Sequence, residues 1–276
     1  MSAQASEAAS LTRTAAELRG RIIEVSGRAG VPHLGSCLSC VDILTALYWK
    51  VMRIDPAKPA APERDRFLLS KGHAAPALFQ VLAMRGFFPE SLLESYGADD
   101  SPFAEHPPAH GVPGIEAATG SLGHGLPLGL GMALGMQLAQ QPGRVFALLG
   151  DGECNEGSVW EAAMMASAQR LDRLTAIVDY NKWQATGRSD EVLSLAPLAD
   201  KWSAFGWSVT EVDGHDIGAL LDTFGRLPFQ GGRPSAIIAH TVKGKGVSFM
   251  EDDNNWHYRT PTPDEVARSR RELGLD

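Results

Sequence analysis

Between Arg144 and Gly187 the chain reads RVFALLGDGECNEGSVWEAAMMASAQRLDRLTAIVDYNKWQATG, and this stretch constrains the fold more than any other. Val145 to Leu149 is a short continuous apolar run, which fits a strand buried on both faces. It ends in Gly150-Asp151-Gly152. Ser158 to Ala168 then carries Val159, Ala162, Ala163 and Ala166 on one helical stripe. Leu174 to Val178 is a second buried strand, closed by Asp179-Tyr180-Asn181. The pattern is strand–helix–strand. In a parallel unit both strands end at the sheet edge where open α/β folds bind ligands.

Asp151 and Asn181 would therefore arrive at one spot from neighbouring strand ends. A carboxylate and an amide carbonyl are hard oxygen ligands that suit Mg²⁺ or Ca²⁺, and Mg²⁺ commonly completes its shell with phosphate oxygens and water. Gly150 and Gly152 let backbone approach a phosphate closely. The helix N-terminus behind them favours negative charge. These residues point to a Mg²⁺-bridged diphosphate site.

Composition narrows the alternatives. The 276 residues are 44% hydrophobic and 21% charged, ordinary for a globular protein, and suffice for one large domain. A net charge of -8 argues against general affinity for nucleic acid or anionic membranes. No apolar run approaches the roughly 20 residues of a membrane span. The polar start, Met1–Ala9, does not read as a signal peptide. Three cysteines suggest a reducing, cytoplasmic setting without a disulfide framework. Cys37 and Cys40 sit in an apolar helical stretch and read as packing residues, since zinc would need more ligands than they supply.

GDGECNEGSVWEA, followed by an Asn closing the next strand, resembles the thiamine diphosphate motif in its transketolase form. GVPHLGSCLSCVDILTALY resembles the first transketolase signature, with His33 in its histidine position. LSKGHAAPALF is similar to the SxGH element and places His73. The loop from Phe103 to Gly114 resembles an HP…PGxE segment, in which His106 is the better match and His110 the alternative. EAATGSLGHG is close to TGSLGQG, carrying Gly120 and Leu122, with His124 in the Gln position. HTVKGKGVSFMEDDNNWH resembles the closing signature and places His257, although Tyr258 stands where the family usually has Gly.

The resemblance implies a single α/β diphosphate-binding domain over 1–276, with a mostly parallel sheet flanked by helices on both faces. Residues 1–9 are expected to be flexible. It implies thiamine diphosphate with Mg²⁺, or Ca²⁺ or Mn²⁺ in its place, the metal being held by Asp151, Asn181 and the main-chain carbonyl of Trp183. The cofactor would meet His73, Gly120, Leu122, Gly150, Asp151, Gly152, Glu153, Asn181 and His257. His33, His73, His106 and His257 are the expected catalytic residues, handling protons at sugar hydroxyls. Glu156 and Glu161 would lie at a subunit interface, and His215 is read as structural.

In the family a glutamate that activates the cofactor belongs to a further domain. Its place lies beyond the matched motifs, so the chain is expected to be the first subunit of a split transketolase. A C-terminal partner subunit would supply the glutamate, in an α2β2 heterotetramer acting on sugars or sugar phosphates. The alternatives are a subunit of a 2-oxo acid dehydrogenase or of a deoxyxylulose phosphate synthase-like enzyme, and a non-catalytic protein that keeps the fold.

Overall fold

The computed structural model describes residues 3–276, with side chains from Ser6 onward. Among the described residues five strands form one sheet: β1 (Arg66–Leu69), β2 (Val145–Gly150), β3 (Leu174–Tyr180), β4 (Ser208–Asp213) and β5 (Ser235–His240). Their order is β1-β2-β3-β5-β4, and every neighbouring pair is parallel. Around the sheet lie the helices α1 (Ala3–Ala29), α2 (Leu34–Ser39), α3 (Val41–Ala46), α4 (Ala75–Met84), α5 (Gly125–Leu138), α6 (Gly157–Ala168), α7 (Ser189–Leu193), α8 (Leu198–Ala204), α9 (Ile217–Gly225) and α10 (Pro263–Glu272).

Successive residues of a strand point to opposite faces, and here both faces are apolar. Phe67, Leu69, Phe146, Leu148, Ile177 and Ile237 pack into one core with α1, α3, α4 and α9. Leu68, Val145, Ala147, Leu149, Ala176 and Ile238 pack into a second core with α5, α6 and α8. The expected architecture, a parallel sheet covered on both sides, is what the chain adopts.

Local boundaries differ in places. α1 begins at Ala3, so the segment expected to be loose is helical from there, while Met1 and Ser2 lie outside the described residues. The helix expected from Ser36 onward is broken at Cys40 and closes in a π turn over Leu47–Val51. A single 3₁₀ turn, Gly152–Asn155, separates Asp151 from α6. The short helix α7 has no counterpart in the sequence pattern. Cys37 and Cys40 are buried and unpaired, as a packing role requires. Among the described residues no helix is long and apolar enough to cross a membrane.

Candidate active site

Because all strands run the same way, the segments leaving β1, β2, β3 and β5 emerge at one sheet edge. The register pairs Gly150 with Asp179 and Tyr180 with His240. A cavity of about 410 Å³ opens there, lined by His33, Lys71, His73, Gly120, Leu122, Gly150, Asp151, Gly152, Glu153, Glu156, Asn181, Trp183 and His257 among others.

Asp151 and Asn181 meet as the strand pairing demands. Asp151 is 1% exposed; its Oδ1 accepts from the Gly152 N–H (3.0 Å), and its Oδ2 from the Lys182 N–H and Ser189 Oγ (both 2.8 Å). Lys182 takes a positive φ of 68°, which turns the chain immediately after Asn181. Asn181 Oδ1 then accepts from the Trp183 N–H at 3.0 Å. Burial, with some repulsion from Asp179, raises the Asp151 carboxyl to about 6. No ion pair offsets that burial among the described residues, so Asp151 is a carboxylate that a bound cation would stabilise. The donor set of carboxylate, amide oxygen and an adjacent loop carbonyl fits Mg²⁺ or Ca²⁺.

Glu153 faces inward. Its Oε1 accepts from Ser70 Oγ and the Gly123 N–H (2.9 Å), and its Oε2 accepts from the Gly150 N–H (3.1 Å). One carboxylate thereby ties the loops after β1, before α5 and after β2. It lines the cavity, but its oxygens are engaged by protein donors.

The four expected histidines come together from four separate loops. The His33 ring centroid lies 5.4 Å from His73, 4.9 Å from His257 and 6.5 Å from His106. His33 itself adopts a left-handed conformation (φ 69°), and its N–H donates to the His257 carbonyl at 2.8 Å. Its Nδ1 is buried without a protein partner, so a ligand meets no competitor there. His106 rests on Gly120: a Cβ at Gly120, whose φ is 141°, would lie 2.6 Å from His106 Cδ2. His110 is exposed and absent from this cluster, which favours His106 of the two alternatives. His124 is exposed and turned back on the Leu122 carbonyl. His215 is remote from the cluster, donating from Nδ1 to Asp42 and accepting the Val242 N–H, both at 2.8 Å.

Sequence reasoning missed the charges beneath this cluster. Lys71 and Asp179 form a fully buried ion pair, with Lys71 also donating to the Ser36 carbonyl at 2.8 Å. Burial opposes each charge, but each is held ionised by the other: Lys71 is raised and Asp179 lowered. Lys243, 1% exposed, donates to Asn254 Oδ1 (2.7 Å) and His257 Nδ1 (3.1 Å). Burial and the nearby Lys71 lower Lys243 to about 8. The same causes act on the rings: burial first, then neighbouring cations, push His257 down to about 3 and His73 well below its ordinary value. His33 is lowered mainly by burial. All three are neutral imidazoles at neutral pH. A lysine inside the matched LSKGH stretch and an Asp ending an apolar strand were the available signals.

Glu156 and Glu161 are both exposed. Glu156 borders the cavity, and Glu161 lies on α6 beside the exposed Met164 and Met165.

Residues 12–276 match the family model of the transketolase thiamine diphosphate-binding domain. The chain is 42% identical over 255 residues to one of the named subunits of the apulose-4-phosphate transketolase of Phocaeicola vulgatus, covering 92% of this chain and 90% of that protein. It is 44% identical over 234 residues to 6-deoxy-6-sulfo-D-fructose transketolase subunit SqwG of a Clostridium species, covering 85% of each. A transketolase of Pichia stipitis, solved in complex with sedoheptulose-7-phosphate, superposes with a TM-score of 0.90 at 27% identity over 97% of this chain. The chain spans 41% of the length of that solved protein.

Proposed function

This chain belongs to the transketolase family, and from that premise we propose that it is the first subunit of a two-chain transketolase. It moves a two-carbon ketol unit from a ketose donor to an aldose acceptor and works only with a C-terminal partner subunit. The observation that carries this is the meeting of Asp151 and Asn181 with His33, His73 and His257 around one cavity, His106 lying behind them beside His33. The match to proteins named as transketolase subunits, along most of their length, supports the division into two chains. A dehydrogenase-type or non-catalytic reading has no comparable support.

Thiamine diphosphate, when bound, supplies the electron sink that makes C–C cleavage feasible. Asp151, Asn181 and the Trp183 carbonyl would hold Mg²⁺, or Ca²⁺ or Mn²⁺, against the diphosphate. The loops pinned by Glu153 bring the Gly120–Leu122 and Gly150–Gly152 backbones to the same cavity. His257 accepts from Lys243 at Nδ1 and therefore keeps its proton on Nε2, ready to donate. His33 offers its unpartnered Nδ1 to a sugar hydroxyl. A neutral ring donates a hydrogen bond from its N–H or accepts one at its bare nitrogen, which is what orienting sugar hydroxyls needs, and the bare nitrogen can take up a hydroxyl proton and later return it.

The partner supplies the catalytic glutamate. Glu156 and Glu161 belong to an interface between copies in an α2β2 assembly, a reading supported by the exposed Leu128, Leu138, Met164 and Met165 on α5 and α6. The setting is cytoplasmic. The test is a ketol-transfer assay with thiamine diphosphate and Mg²⁺, run on this chain alone and with a C-terminal transketolase subunit from the same source. Activity confined to the mixture is expected; activity of this chain alone would refute the two-chain assignment.

A further inference from the structure

Tyr258 follows the last histidine of the cluster. It is 65% exposed, unusual for a large ring beside an otherwise half-buried group of histidines. Its ring centroid is 4.7 Å from His257, edge to face, and 6.3 Å from His33. His33 and His257 line the cavity, and Tyr258 stands outside them at its rim. The backbone holds it there: the 3₁₀ turn Asn254–His257 ends with the Tyr258 N–H donating to the Asn255 carbonyl at 3.2 Å.

The cation next in sequence is engaged elsewhere. Arg259 packs its guanidinium over Trp256 at 4.4 Å and pairs with Glu265, so its charge is spent within the chain. An exposed aromatic face with a phenolic hydroxyl, whose neighbouring guanidinium is already paired, suits the C–H face and hydroxyls of a sugar better than a phosphate.

We propose that Tyr258 is a specificity-determining residue that stacks on the part of the sugar chain lying beyond the reacting carbons. This rests on the transketolase reading above. A two-carbon aldehyde held among the histidines is too short to reach the rim. Longer, hydroxylated aldoses extend past the paired rings of His33 and His257 and gain the contact.

The experiment uses this chain together with its partner, thiamine diphosphate and Mg²⁺. Hydroxypyruvate serves as donor, because it has no sugar tail and leaves acceptor length as the variable. Glycolaldehyde, glyceraldehyde, erythrose and ribose are compared for the unaltered enzyme, Tyr258→Phe and Tyr258→Gly. The expected result for Tyr258→Gly is a KM for erythrose and ribose raised about three- to tenfold. Its kcat and its KM for glycolaldehyde should stay unchanged. Tyr258→Phe should retain most of the affinity. A change equal for all acceptors, no change, improved use of long acceptors, or failure of the two chains to assemble would each overturn the inference. Transfer by the unaltered enzyme separates the two readings: if it transfers nothing to any acceptor, the functional reading has failed first.

Discussion

Lys243 Nζ lies 3.1 Å from Nδ1 of His257, and this contact decides which nitrogen of the ring carries its proton. Lys243 has only protons to give, so Nδ1 must accept. Asn254 anchors the same ammonium through Oδ1 at 2.7 Å and reaches the Ala185 carbonyl through Nδ2 at 3.1 Å. The loop that follows Asn181 is thus joined to the histidine through two side chains. Arg188 closes the junction from outside, stacking on Trp183 at 3.8 Å and pairing with Asp252.

Replacing Lys243 by Met should therefore raise the pKa of His257 from about 3 toward the ordinary 6.5, since a neighbouring cation is removed. Burial, the larger cause, remains and keeps the return partial. An NMR titration of the ring nitrogens of His257 would measure it. An unmoved His257 titration in the variant would show that the lysine charge is not felt at the ring.

Asp151→Ala should leave a folded chain that no longer gains stability from thiamine diphosphate with Mg²⁺. A group that binds only the folded state raises its melting temperature by mass action. That rise should be present in the unaltered chain with its partner and absent in the variant, with cofactor affinity at least about 100-fold weaker. Thermal melts with and without Mg²⁺ decide the matter. A full cofactor response in Asp151→Ala would remove Asp151 from the metal site.

Glu153→Gln tests the pin between loops. Ser70, Gly123 and Gly150 all donate to the carboxylate, and Gln places an NH₂ group against at least one of those donors. A loss of about 1–3 kcal/mol is expected from the unsatisfied buried group. Urea unfolding reads it directly. A variant as stable as the parent would mean that the loops are held by something other than this carboxylate.

Stability should fall on acidification below about pH 6.5. His33, His73 and His257 have folded values below the ordinary 6.5 of the unfolded chain, so the unfolded state binds protons that the folded state refuses. Their contribution is complete above that value. It declines as the pH drops toward about 3, where His257 itself protonates. Urea midpoints at several pH values should show the slope, and His257→Gln should make it shallower. An equal slope in both proteins would contradict the lowered value for His257.

Gly120→Ala should disturb the cluster at His106. The added methyl would lie 2.6 Å from His106 Cδ2, on a backbone with φ of 141° that other residues rarely adopt. Ketol transfer should drop by more than the accompanying loss of folded protein explains. Comparing specific activity with circular dichroism separates the two effects, and equal losses would point to destabilisation alone.

Much of the fold is legible in the sequence. The apolar runs at Val145–Leu149 and Leu174–Val178 could be read because strands buried on both faces leave an uninterrupted apolar signature. The turns after them, Gly150-Asp151-Gly152 and Asp179-Tyr180-Asn181, are local, so their placement at one edge followed from parallel pairing alone. Glu153 was legible as a residue expected to meet the cofactor. That its oxygens join three loops depends on Ser70 and Gly123, which belong to distant parts of the chain. Nor does local sequence reveal that Lys71 and Asp179, 108 positions apart, neutralise one another under the site.

The chain's own order of residues determined the strand ends, the candidate oxygen ligands Asp151 and Asn181, and the motif positions of the histidines, because each depends on contacts within a few residues. Tertiary structure decided what the histidines are. His33, His73, His106 and His257 converge from segments spread over most of the chain: His73 follows the end of β1, while His33 and His106, which follow no strand, are brought in by packing and by contacts such as the His33 N–H to the His257 carbonyl. Burial and the charges of Lys71 and Lys243 then make His33, His73 and His257 neutral. Charge state is set by surroundings in three dimensions, and no reading along one dimension contains them.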